Sequence, residues 1–235
     1  MQKFLISDGS DLLSDAAAWR GGYISRLEKK YGCELRFSHI DEAAARALSR
    51  REGDYCTVTG SAAARALAYA MRRLARGVKV LVAGLGNASF VSDAFGADAV
   101  NALRRLDRDG GLLTVLPEVR AVTGVDSADV IASLAGAVKP DLVIAADALA
   151  TTDWRKIGAC YQLTTAGIRP GSGTGAGGKC IDGDYIGTRV LAVGVPLICA
   201  VDTTEGQRSV IPYDAESVVG ECANTIAAAI FAAYS

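Results

Sequence analysis

Apolar and polar positions alternate along this chain in two rhythms that change over repeatedly, and the changes mark its elements. Apolar residues at Leu12, Ala16, Trp19, Tyr23 and Leu27 fall near helical spacing and predict a helix over Asp11 to Lys30, behind an arm over residues 1–10. Glu34 to Ile40 alternates as a strand, Asp41 is placed to cap a helix through EAAARALSR, and Tyr55 to Thr59 reads as a second strand. Together they predict a small opening unit over 34–60. The alanine-rich stretch Ser61 to Arg76 predicts a helix stopped at Gly77.

Beyond it strands and helices take turns. Strands are expected at Val78 to Ala83, Leu112 to Leu116, Leu142 to Ala146, Tyr161 to Thr164, Val190 to Val193 and Leu197 to Val201. Helices are expected through DAFGADAVNALRRL, from a cap at Asp126 or Ser127 to Val138, and over Glu216 to Tyr234. This order predicts an α/β fold in which a largely parallel sheet is sandwiched by helices. Leu142 to Ala146 is apolar throughout, as a parallel strand buried on both faces should be.

Composition narrows the class. A chain of 235 residues, half of them apolar, can bury one large core and is expected to form a single α/β domain. A net charge of -1 argues against a nucleic-acid surface held by counterion release. The six cysteines have no CxxC pair, which predicts buried thiols in a reducing cytoplasm. Neither a signal-peptide core nor a run of about 18 apolar residues is present, so no membrane span is expected.

Two glycine loops invite a nucleotide reading and fail it. GTGAGGK at 173–179 fits GxxxxGK, but Cys180 stands where Ser or Thr must hold magnesium, and no helix follows. Gly84 and Gly86 begin GxGxxG, yet Ser89 occupies the third place. What survives is a pair of acids. Asp147 follows a buried strand and Asp93 follows the loop after another, and ligands of open parallel sheets sit at that edge. Two close carboxylates would hold one proton between them and could activate water while protonating a leaving amine. The bland reading of each is a helix cap. His39, the one histidine, is expected to be structural.

Ordered blocks carry a resemblance: VLVAGLGNASFVSDAFGADAV at 80–100, VTGVDSADVI at 122–131, KPDLVIAADALAT at 139–151, TTAGIRPGSGTG at 164–175 and VLAVGVPLICAVDT at 190–203. In these the chain resembles the germination protease family, spore endopeptidases that degrade small acid-soluble spore proteins. The resemblance implies a phosphorylase/hydrolase-like sandwich related to the hydrogenase maturation proteases. It implies an atypical aspartic endopeptidase of the spore-core cytoplasm, without cofactor or metal, made as a self-processing precursor and active as a homotetramer on protein substrates. Its essential aspartates fall on Asp93 and Asp147, and Asn87, Thr123, Gly171, Ser172 and Gly173 would line the cleft. SDLLSDAA resembles the family's processing region and makes residues 1–16 a pro-segment or arm. Arg169 stands where the family usually has His, Glu118 where it usually has Gly, and the basic residues after PGSGxG are reduced to Lys179. Two other readings stay open: a metal-dependent peptidase of the hydrogenase-maturation type, and a peptide-binding relative that has lost turnover.

Overall fold

The computed structural model describes residues 23–48, 50–171, 178–203 and 206–235. The N-terminal arm and the expected helix up to residue 22 lie outside them. Among the described residues nine strands form one sheet: β1 Tyr23–Lys30, β2 Cys33–Ile40, β3 Gly53–Thr59, β4 Val80–Gly84, β5 Leu113–Val115, β6 Leu142–Thr151, β7 Cys160–Thr164, β8 Arg189–Thr203 and β9 Gly206–Val210. The helices are α1 Glu42–Leu48, α2 Ala63–Leu74, α3 Phe95–Leu106, the short α4 Arg120–Thr123, α5 Ser127–Val138, the short α6 Gly183–Ile186 and α7 Ala215–Tyr234.

The spatial order is β1-β2-β3-β7-β8-β6-β4-β5, with β9 paired to the far part of β8. The expected α/β sheet with helices on its faces is present. Its parallel character belongs to β5, β4, β6 and β8, while β1, β2, β3, β7 and β9 are joined by antiparallel pairings. Alternation within each strand sends its side chains to two cores. Val80, Val82, Leu142, Ile144, Leu191 and Val193 pack under α2, α3 and α7; Leu81, Ala83, Val143, Ala145, Val190 and Ala192 pack under α5 and α6. On the second face α1 covers Ile40, Tyr55 and Ala166.

Three strands differ from expectation, and so does one helix: α6 Gly183–Ile186 makes a single turn, its start capped by the Asp182 side chain accepting Tyr185 N–H, in the stretch after the glycine loop where no helix was expected. Tyr23 to Lys30 is a strand, paired along its whole length with β2 through a turn at Tyr31 (φ 53°) and Gly32 (φ 75°). Two left-handed residues make the tight hairpin turn whose twist suits its strands, and a neighbouring strand overrides the weak helical spacing. The two strands expected at 190–193 and 197–201 are one, because Pro196 falls where β8 has no second neighbour: pairing to β7 ends at Gly194 and pairing to β9 begins at Cys199. A missing N–H costs no ladder bond there. The third is β9, too short and polar to stand out as GQRSV.

Helix α7 is 20 residues long with a mean hydropathy of 1.3 in its most apolar window, long and apolar enough by those measures to cross a membrane. In this fold its Val219, Cys222, Ala223, Ile226, Ala227 and Ile230 are buried in the first core.

Candidate active site

The chain leaves β4 through α3 on one face of the sheet to reach β5, and returns through α5 on the other face to β6. The strand order therefore reverses at β4, with β5 on one side and β6 on the other, which places the crevice of an open parallel sheet at the carboxyl ends of β4 and β6. The last β4–β6 pair is Gly84 with Ala146, and Leu85 N–H then donates to the Ala146 carbonyl at 2.8 Å. One residue further, Asp147 pairs only with Gly194 of β8. Asp147 is thus not at the end of its strand, as the apolar run suggested, but its sixth residue, at the point where the neighbouring strand has stopped.

Close backbone approach fills the vacated flank with the loop after β4. A Cβ on Gly84 would lie 2.2 Å from the Gly96 carbonyl oxygen, and one on Gly96 would lie 2.3 Å from the Leu85 oxygen. Only glycine at both places lets the start of α3 rest on the strand ends. The 3-10 turn Val91–Asp93 just ahead of α3 is drawn in with it. Asp93 is half-buried, and the Asn87 N–H donates to its Oδ2 at 2.7 Å. A Cβ on Gly86 would stand 2.9 Å from Asp93 Oδ1, so this turn is closed around the carboxylate.

The electrostatics of the two acids are unequal. Asp147 is 8 % exposed, and burial first, then the negative charge of Asp93, push its carboxyl up to about 8 against the opposing Ala148 N–H. Burial also raises Asp93 above the usual carboxylate range, offset by the Asn87 N–H. Asp93 ionises first, and its charge then helps Asp147 to keep a proton. The pair therefore offers an acceptor in Asp93 and, up to a higher pH than an ordinary aspartate would allow, a donor in Asp147.

The remaining expected site residues are distributed around this edge. Asn87 serves Asp93 through its backbone, and its side-chain Oδ1 accepts from Ser89 N–H at 2.9 Å to close the turn. Thr123 is exposed on α4, its hydroxyl engaged with the backbone of Val119 and Val125. Gly171 is exposed with φ 72°, while Ser172 and Gly173 lie outside the described residues. The base of their loop is anchored: Gly178 N–H donates to the Pro170 carbonyl, Lys179 N–H donates to Asp126 Oδ2, and the Lys179 ammonium bonds Asp129 and the Tyr185 hydroxyl. Asp126 is also the cap of α5, through Ala128 N–H. Glu118, in the loop after β5, has φ 58°, the left-handed region that suits the glycine usual there. His39 bonds Asp54 at 2.8 Å on the antiparallel wing. Among the described residues no three His, Cys, Asp or Glu side chains gather closely enough to hold a metal ion.

Fold and site define an α/β protein with an unequal acid pair in the crevice between two parallel strands. Comparison with known proteins carries this further: the family model described as "Germination protease" matches residues 14–213. The chain belongs to the germination protease family. It is 31 % identical to the germination protease of Caldanaerobacter subterraneus subsp. tengcongensis over 219 residues, covering 82 % of this chain and 67 % of that protein. Its identity to the germination protease of Oceanobacillus iheyensis is 32 % over 194 residues, 70 % of this chain and 53 % of that one. For the Priestia megaterium protein the identity is 29 % over 206 residues, 75 % and 56 % of the two chains. The chain thus spans from about half to two thirds of the length of these curated relatives. Among solved structures, the NiFe hydrogenase maturation protease HycI from Thermococcus kodakarensis superposes with a TM-score of 0.45 at 18 % identity, covering 64 % of this chain and 88 % of that one.

Proposed function

We propose that the chain is an endopeptidase that uses Asp93 and Asp147 together, the ionised member as general base toward a water and the protonated member as general acid toward the leaving amine. The observation that supports this most directly is the inequality of the pair: Asp147 is buried and holds its proton to higher pH than an ordinary aspartate, while Asp93, whose charge contributes to that, is only half-buried. General bases and acids work best when each already holds the protonation state that its step requires. As water adds to the scissile carbonyl, its proton passes to Asp93; Asp147 then gives its proton to the nitrogen as the C–N bond breaks. Transfer of the first proton back to Asp147 restores the pair.

By membership of the family, the substrates we propose are small acid-soluble spore proteins, cut in the cytoplasm of the spore core by a homo-oligomer, without metal. The N-terminal arm is proposed as the brake of a precursor. The test is a digest of a small acid-soluble spore protein by the purified chain and by its Asp93→Asn and Asp147→Asn variants. Discrete fragments from the parent chain, and a loss of at least about a hundredfold in each variant, are expected of an acid and base that act as a unit. Equal products at equal rates from either variant would remove the mechanism; binding without cutting by the parent would make the chain a silent peptide-binding relative.

A further inference from the structure

A polar row crosses the sheet on the face that Asp147 shares, and the proposed mechanism leaves one member of it unused. Register pairs Thr57 with Gln162, Gln162 with Gly194, and Gly194 with Asp147. Residues paired across neighbouring strands project to the same side. Gln162 is 3 % exposed, and its Oε1 is buried without a hydrogen-bond partner among the described residues. A buried amide oxygen with no donor is costly, and native cores seldom keep one that nothing uses. Between it and Asp147 the sheet presents a glycine, so no side chain from β8 separates the two.

We propose that Gln162 is a substrate-binding residue whose Oε1 accepts a main-chain N–H of the extended polypeptide lying across Asp147. This rests on the peptidase reading above. Strand spacing of about 4.8 Å sets the Cα atoms of Gln162 and Asp147 roughly 10 Å apart, and an extended chain advances about 3.3 Å per residue, so the N–H concerned lies roughly two or three residues from the scissile bond. Recognition there reads backbone, not side chain. The place over Gly194 is covered by Leu149, since a Cβ on Gly194 would stand 2.5 Å from Leu149 Cδ1. The β6–β8 register slips between Leu149 and Ala150, passing over Leu197, and such bulges re-aim side chains beside active sites. Peptide entry turns Leu149 off Gly194 and brings the amide its donor.

The experiment measures kcat and KM on a peptide of about ten residues spanning a cleavage site, for the parent chain, Gln162→Met and Gln162→Glu. An N-methyl scan along the peptide, melting temperatures, and the affinity of the uncut peptide for Asp147→Asn with and without Gln162→Met complete the set. Gln162→Met is expected to raise KM about tenfold, the worth of one hydrogen bond, with kcat within about twofold and the melting temperature held or raised. Gln162→Glu, which keeps an acceptor oxygen, is expected to recover most of the affinity. N-methylation at one position should weaken the parent to the level of Gln162→Met and leave that variant unchanged. An unaltered KM in Gln162→Met, an activity loss that tracks a falling melting temperature, or no sensitive N-methyl position would make Gln162 a core residue and overturn the proposal while cleavage stands. A parent chain that neither cuts nor binds peptides would overturn the peptidase reading itself, and this proposal with it.

Discussion

Gly84 and Gly96 meet backbone to backbone, with room for no side chain at either: the Cβ of an alanine at position 84 would fall 2.2 Å from the carbonyl oxygen of residue 96. That contact seats α3 on the end of β4 and so fixes how far the loop carrying Asp93 can reach toward Asp147. Gly96→Ala is expected to cost about 1–3 kcal/mol of stability by overpacking, and to reduce activity further than the stability loss accounts for. Urea unfolding beside a cleavage assay checks this. An alanine variant with parental stability would show that the approach is looser than described.

Stability should depend on pH through Asp147. Its carboxyl rises from an ordinary 3.8 to about 8 on folding, so between those values the native chain holds a proton that the unfolded chain has released. The contribution is complete below the unfolded value and is lost as pH climbs through the folded one. Asp147→Asn removes the dependence. The variant should match the parent near pH 4 and exceed it near pH 8, where the difference is of the order of a few kcal/mol. Denaturation midpoints that run parallel across this range would contradict a buried, proton-bound Asp147.

Glu118 adopts φ 58°, a conformation that costs an L residue and not a glycine. Its carbonyl accepts the Ser127 hydroxyl at 2.7 Å, so the turn is held in place and the strain stays. Glu118→Gly should stabilise the chain by about 0.5–1 kcal/mol, with the larger entropy of an unfolded glycine included. A higher urea midpoint at an unchanged slope is the expected signature. A lower midpoint would mean that the glutamate side chain contributes more than its backbone loses.

Cleavage should survive a strong chelator. Catalytic divalent ions take about three protein ligands, and the crevice presents two carboxylates with His39 far off on the antiparallel wing, bonded to Asp54. Activity lost to EDTA and regained with one particular ion would replace the acid pair by a metal centre.

Much of this was legible in the sequence where burial alone decides the pattern. Leu142 to Ala146 is apolar because both of its faces are covered, and its pairing with β4 and β8 follows. The two acids stood out because charge at such an edge is unusual. Elements whose form depends on a neighbour were not legible: β1 is read from the spacing of its apolar residues as the end of a helix until β2 pairs with it, and β8 is divided at Pro196 until the gap between β7 and β9 is seen. Gln162 gave no signal at all. One amide in the strand CYQLT looks like an exposed position, and only the register across Gly194 sets it in the row of Asp147.

The place of β8 also sets a sequence of events. Strands β6 and β7 are successive in the chain, yet in the sheet β8 lies between them, and Asp147 has Gly194 as its ladder partner. While the chain is being made, Asp93 and Asp147 both precede that partner, the nearer of them by 47 residues (147 to 194). Without Arg189–Thr203 in place, Asp147 lacks the ladder neighbour that helps bury it, and burial is the first cause of its raised carboxyl. Long-range pairings of this kind close late. Under the mechanism proposed above, topology would thus set when the pair can work: both acids precede in sequence the strand that completes the burial of Asp147.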